Sequence, residues 1–261
     1  MHIVVCLKQV VDPELPLREF AIDPQTKRQA REGRPLVLST YDENALEVAL
    51  QVKDRTGARV TALILAPQAT VGDQIRLALA MGADDAVVVD DPRGPELLGA
   101  AKVPLLAAAI RRLGTVDLVL TGCESADWVE RAVPPLLAEA LGAACVTFVA
   151  RVALEDGRAV AHRQADEGYH VVEARLPAVL SVTSDEANRP RLPKVKDIVG
   201  AKRKPVQTWP VDALGVAPGD AGVEVVDVRV PEQTTRCEFL EGEPAQQAEA
   251  LALRLRDLKL L

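Results

Sequence analysis

Residues 58–91 read ARVTALILAPQATVGDQIRLALAMGADDAVVVDD. An apolar run of strand length, ARVTALILAP, passes through a short joint into VGDQIRLALAMGAD. The apolar residues of that second segment follow helical spacing up to a stop at Gly82, and a β-branched run, DAVVVDD, follows at once. Strand, helix and strand with no hairpin signal between them form the repeating unit of a parallel sheet covered by helices.

The same alternation extends outward. HIVVCLKQV reads as a first buried strand, and residues 12–40 as an irregular stretch rich in proline and charge. A helix starts at Asp42, its cap, with apolar residues at 45, 46, 49, 50 and 52 and a stop at Gly57. Residues 95–112 read as a third helix, VDLVLTG (116–122) as a fourth strand, VERAVPPLLAEALGA (129–143) as a fourth helix and AACVTFVA (143–150) as a fifth strand. Beyond residue 150 come short alternating strands, with Asp156-Gly157 as a turn. Residues 188–205 hold Pro190, Pro193 and Pro205 among seven Lys or Arg and are expected to form an exposed, mobile loop without regular structure. Residues 206–243 look extended and polar, and 244–261 form an amphipathic helix with Ala248, Leu251, Leu255 and Leu258 on one face. The expected class is α/β: a parallel-sheet domain over 1–205, then an arm and helix over 206–261.

Composition narrows the function. Of 261 residues 48% are hydrophobic, nearly all aliphatic, which is enough for a sizeable core. Aromatics make up 3%, few for stacking on bases or flavin rings, and a net charge of −7 argues against nucleic-acid binding. Cys6, Cys123, Cys145 and Cys237 have no CxxC spacing and so form no disulfide framework, zinc site or iron–sulfur site. Two of them lie in apolar strand-like runs and read as small core residues. His2, His162 and His170 make no metal spacing. MHIVVCLKQVVD is too short and too soon polar for a signal peptide, and no apolar run reaches the ~18 residues of a membrane span. A cytoplasmic protein without membrane insertion is expected.

Ligands of such sheets bind beyond the carboxyl ends of the strands, at a switch in strand order, so the loops after the first, second and fourth strands are the candidates. After the fourth strand the chain reads LTGCESADWVERAVPPLLAEALG (120–142). The loop after Gly122 has no glycine and carries Glu130 where an anion would approach. An ATP-splitting enzyme of this architecture needs a glycine-rich run after the first strand, and CLKQVVDPE has none.

Several stretches taken in order carry a resemblance: CLKQVVD (6–12), DENALEVALQVKD (42–54), ALAMGADDAVVV (78–89), DLVLTG…PPLLAEALG (117–142), LPAVLSV (176–182) and NRPRLPKVKDIVGAKRKP (188–205). Together they resemble the β subunit of electron transfer flavoproteins. The resemblance implies a Rossmann-like, adenine-nucleotide-hydrolase-like domain paired with an α subunit that holds most of the redox FAD. Electrons pass from a flavin-dependent dehydrogenase, such as an acyl-CoA dehydrogenase, to an acceptor oxidoreductase, and the β chain has no catalytic residues of its own. It also implies a structural AMP in the β chain, replaced by a second FAD in bifurcating members. The alternative is a stand-alone nucleotide-binding regulatory protein of the same superfamily.

The resemblance places the nucleotide site on Cys6, Ser39 and Leu65, and on Gly122, Cys123, Asp127, Glu130, Arg131, Ala132 and Val133. The family's loop runs G-x-x-x-x-D-G-D-T-G-Q; here Gly122 and Asp127 match and residues 128–132 depart. Small residues let backbone N–H groups reach a phosphate at a helix start. Their loss, the added Glu130 and the bulk of Trp128, read as a plug in the emptied site, predict weak AMP binding or none. Arg131 argues the other way, since it can meet a phosphate, although it can also pair with Glu130. Partner docking falls on Arg191, Lys194, Val195 and Lys196, with Val195 standing where the family has an anchoring Leu, and Lys202, Arg203 and Lys204 are candidates to steer an acidic partner. Gln164 replaces a family Glu before the LPAV strand; Asp166, two residues on, would share its face on a strand.

Overall fold

The computed structural model of the chain describes residues 1–230 and 237–261. Met1–Val228 forms one compact unit and Arg229–Leu261 a second. In chain order the elements are β1 (His2–Leu7), β2 (Gln9–Val11), β3 (Ile22–Asp23), β4 (Arg28–Gln29), β5 (Leu36–Leu38), α1 (Thr40–Thr56), β6 (Arg59–Ala66), α2 (Gly72–Met81), β7 (Asp85–Asp90), α3 (Gly99–Arg112), β8 (Leu118–Gly122) and α4 (Val133–Leu141). There follow β9 (Ala144–Glu155), β10 (Arg158–Ala165), β11 (Gly168–Arg175), β12 (Ala178–Val182), α5 (Val195–Ala201), β13 (Val206–Pro210) and α6 (Pro244–Asp257).

A nine-stranded sheet in the order β11-β10-β9-β12-β8-β1-β6-β7-β13 organises the first unit. The strands from β9 through β12, β8, β1, β6 and β7 to β13 pair in parallel. β9, β10 and β11 pair antiparallel. Side chains of β1 alternate between two cores, as the period of a strand requires. Ile3, Val5 and Leu7 meet α1 and α2 on one face, while Val4 and Cys6 meet α3 and α4 on the other. The chain builds outward from β1 to β6 and β7, then crosses back to place β8 on the other side of β1. That reversal puts the switch point of the sheet between the ends of β1 and β8.

Several elements differ from expectation, each for a physical reason. α1 begins at Thr40, with Ser39 at its N-cap, and Asp42 caps nothing in its own helix. α4 begins at Val133 rather than 129, because Pro134 and Pro135 fit the first helical turn while Val129 takes a left-handed φ of 53°. The fifth strand runs on to Glu155 through an irregularity where Phe148 takes a φ of 56°. Asp156 and Gly157 then turn it with φ of 46° and 74°, the primed turn that the Asp-Gly pair favours. Strand β13 joins the sheet beside β7, so the first unit extends past residue 205. Cys6 and Cys123 are buried, whereas Cys145, in an apolar run, is exposed. Part of the 206–243 stretch read as extended, residues 231–236, lies outside the described residues. In the second unit α6 buries none of its residues, and Leu251, Leu253 and Leu258 are exposed. Among the described residues no helix is long and apolar enough to cross a membrane, and no group of His, Cys, Asp or Glu could hold a metal ion.

Candidate functional site

A small cleft opens at the switch point. Cys6, Leu65 and Leu106 form an apolar floor, with Lys8, Asp42, Gly122, Ser125, Glu130 and Val133 around it. Asp42 holds the two strand ends together. Its Oδ2 accepts from Lys8 N at 2.7 Å and its Oδ1 from Gly122 N at 2.9 Å. A Cβ on Gly122 would lie 2.6 Å from Asp42 Oδ1 and 2.8 Å from Tyr41 Cβ, so this position needs glycine. Burial pushes the Asp42 carboxyl up to about 7, outweighing the backbone N–H groups and the Lys8 charge that favour ionisation. Burial likewise pushes the Cys6 thiol up to about 12, with the Asp42 charge adding to it, which makes Cys6 a neutral wall residue.

The 123–132 loop is tied down at several points. Lys8 Nζ pairs with Asp127 at 2.6 Å. Burial works against the Asp127 charge, yet the Lys8 ammonium holds its carboxyl below the usual range. Ser39 Oγ, buried, accepts from Ala126 N at 3.2 Å. Glu130 does not pair with Arg131: both its carboxylate oxygens lie 2.8 Å from Gly99 N at the start of α3. Arg131 turns outward, bonded to Glu124 at 2.6 Å and lying over the Phe148 ring. Trp128 is not a plug either. Its indole packs under Arg28, 4.7 Å from the ring centroid, and it lines a separate depression beside β3 and β4.

Of the residues expected at a nucleotide site, Cys6, Leu65, Gly122, Glu130 and Val133 line the cleft. Ser39 and Asp127 brace the loop from behind, and Cys123 continues the sheet by donating to Val182 O. Ala132 precedes α4, and Arg131 faces away. Asp42, Lys8, Leu106 and Ser125 were missed. Their signal was faint: Asp42 reads as a helix cap, and the others lie where only the three-dimensional switch point brings them together. Asp166 sits in the β10–β11 turn, so the alternation that would align it with Gln164 ends at Ala165.

The apolar floor of the cleft suits an uncharged group better than its rim suits an anion. Ser125 Oγ is buried close to Asp127, whose carboxylate it helps to hold in the charged form. The phosphate end is poorer. Pro134 and Pro135 remove two N–H donors from the first turn of α4, and Arg131 is engaged with Glu124. No aromatic side chain among the described residues lines the cleft to stack on a flavin.

The expected docking segment is ordered, not irregular. Asn188 is fully buried and bonds Ala150 O, Thr183 O, Asp185 N and Asn44. Arg191 clamps Glu47 through two nitrogens, at 2.7 and 3.0 Å, and Asp54 at 2.9 Å, so its charge is engaged within the chain. Pro190 and Pro193 precede a proline-free run, Val195–Ala201, which forms α5 with Ala201 buried against the core beside α2. Lys204 bonds Leu79 O in the last turn of α2 and Ala83 O just beyond it, rather than facing a partner. Leu192 is 92% and Val195 78% exposed, and Lys194 and Lys196 flank Val195.

Residues 28–214 match the family model of the electron transfer flavoprotein domain. The electron transfer flavoprotein subunit beta of Clostridium acetobutylicum is 37% identical over 96% of this chain and 95% of its own length. That of Thermoanaerobacterium thermosaccharolyticum is 33% identical over 98% of both. The caffeyl-CoA reductase-Etf complex subunit CarD of Acetobacterium woodii is 36% identical over 88% of this chain and 86% of its own length. The chain belongs to the electron transfer flavoprotein family and has the role of its β subunit. A stand-alone regulatory protein is not favoured, since these relatives match over nearly their whole length.

Proposed function

We propose that the chain is the β half of an αβ heterodimer in the cytoplasm that carries electrons from a flavin-dependent dehydrogenase to an acceptor oxidoreductase. The redox FAD is held mainly by the α subunit, and this chain supplies no catalytic group. The observation that carries the reading is full-length kinship with β subunits. An acyl-CoA dehydrogenase-type donor accords with the relative that serves in a caffeyl-CoA reductase complex. Leu251, Leu255 and Leu258 share one face and give the C-terminal region an apolar stripe for the α subunit.

The cleft takes adenosine-like groups through Cys6, Leu65 and Ser125, and it binds AMP weakly or not at all. When bound, such a nucleotide supplies structural support and no redox chemistry. Donor docking falls on Val195 and Leu192, an apolar pair with a cationic rim. The test is stopped-flow reduction of the heterodimer by its dehydrogenase. Val195→Ala and Leu192→Ala are expected to slow flavin reduction while leaving flavin content unchanged. Unaltered rates in both variants with every donor tried would remove the docking assignment.

A further inference from the structure

We propose that the depression beside β3 and β4 is a second binding site, for a small monocarboxylate with a flat apolar body, and that Arg28 and Trp128 are its recognition pair. It is separate from the cleft at the switch point. The Lys8–Asp127 ion pair stands between the two, with Lys8 lining the cleft and Asp127 the depression.

The hairpin sets Arg28 in place. Asp23 Oδ1 accepts from Gln25 N at 2.7 Å and from Thr26 N at 3.1 Å, and Lys27 takes a φ of 52°, so the chain reverses and β4 starts at Arg28. The two short strands bury none of their residues. Arg28 reaches from the hairpin to the 123–132 loop, with its guanidinium 4.7 Å from the centroid of the Trp128 ring and its Nη2 donating to Glu96 O at 3.2 Å. Its Nη1 is buried and has no hydrogen-bond partner among the described residues. A charged donor shut away from water without an acceptor is costly. A carboxylate oxygen entering the depression supplies that acceptor, in a charge-assisted bond.

Charge in the depression is sorted by depth. Arg28 and Arg31 are half-buried in its wall, whereas Glu32 and Glu96 are exposed at its rim. Arg31 is held by a neutral partner, its Nη1 and Nη2 lying 3.4 and 2.7 Å from Gln9 O and Oε1, and burial works against its charge while Asp127 favours it. The two other carboxylates of the lining are engaged, Asp127 with Lys8 and Asp23 with its own turn. Solvent screens the rim charges more than the inner ones, so a single negative charge is drawn inward. A doubly charged phosphate meets the repulsion of both rim carboxylates twice over, which favours a monoanion. The Trp128 ring and the buried Val11 give the depression an apolar wall, against which a planar unsaturated body stacks.

The experiment is calorimetric titration of the full chain with cinnamate, with cinnamamide, its uncharged amide, and with phenyl phosphate, alongside tryptophan fluorescence. Parent, Arg28→Met, Trp128→Ala and Trp128→Phe are compared, with melting curves to confirm folding. The parent should bind one cinnamate with quenching of its fluorescence, and should bind cinnamamide at least about tenfold more weakly, since the charge-assisted bond is lost. Phenyl phosphate should bind no more tightly than cinnamate. Arg28→Met and Trp128→Ala should each lose about tenfold in cinnamate affinity, while Trp128→Phe keeps the flat wall and most of the affinity but loses the quenching. Equal affinity for acid and amide in the parent, or tighter binding of phenyl phosphate, overturns the ligand class without recourse to any variant. Cinnamate binding that survives in a folded Arg28→Met variant, or quenching that persists in Trp128→Phe, places the ligand elsewhere and overturns the site. No binding of cinnamate by the parent at millimolar concentration overturns the proposal and leaves Arg28 as a strut for the hairpin.

Discussion

Lys102→Met should stabilise the protein, and the gain should shrink as pH rises. Lys102 is only 8% exposed and has no ion-pair partner among the described residues, so burial of the side chain opposes its charged form. Its pKa falls from 10.5 to about 7, chiefly through burial. At about 1.36 kcal/mol per unit, the charged form is disfavoured by up to roughly 5 kcal/mol. The sign follows from proton counting. Between pH 7 and 10.5 the unfolded chain keeps the proton and the native chain has lost it, so native stability rises with pH through that window. Below pH 7 both states are charged and the full cost applies. Methionine fills much the same volume without a charge and should show no such slope. The difference between variant and parent should therefore fall by about 2–3 kcal/mol between pH 6 and pH 9. Urea unfolding of the two proteins at intervals across that range, in buffers without phosphate, measures it. A difference that stays constant with pH, or a variant less stable than the parent throughout, would refute the reasoning.

Gly122→Ala should lose roughly 1–3 kcal/mol, because the new methyl meets Asp42 Oδ1 and Tyr41 Cβ well inside contact distance; the melting temperature reports it. Asp42→Asn should flatten the stability profile on the acidic side. The parent's Asp42 keeps its proton in the native state up to about pH 7 while the unfolded chain loses it near pH 4, so parent stability falls as pH rises between the two; an unchanged slope in the variant counts against Asp42 as its source. Arg191→Ala should cost roughly 1–3 kcal/mol by leaving the buried Glu47 carboxylate short of its donors, and should speed proteolysis between residues 189 and 194; unchanged cleavage would show that the clamp does not order the segment.

Local patterns made the frame of the fold legible. The run from Arg59 to Asp90 folds as its periodicity indicates, and Asp156-Gly157 turns the chain as that pair should. What sequence concealed was long-range pairing. Nothing local distinguishes Val206–Pro210 as the strand that closes the sheet beside β7. The prolines near residue 190 read as breakers, whereas they precede a short helix whose Ala201 is buried in the core. Within the site, the positions that line the strand ends could be picked out, because such sheets bind ligands there. The directions of the loop side chains could not. Glu130 and Arg131 are neighbours in sequence, yet one is drawn to the positive start of α3 and the other to Glu124. Lys102 gave no sequence signal, since a lysine on a helix is ordinarily solvated and only the packing of α3 buries it.

An electron-carrier β subunit whose redox flavin belongs mainly to its partner should hold no flavin by itself. Native mass spectrometry of the chain expressed alone and co-expressed with an electron transfer flavoprotein α subunit tests it most directly, alongside the visible spectrum. The chain expressed alone should be colourless and without flavin, and the co-expressed pair should form a yellow 1:1 complex carrying one FAD. Stoichiometric flavin on the isolated chain, or the absence of any complex with the co-expressed α subunit, would show the opposite.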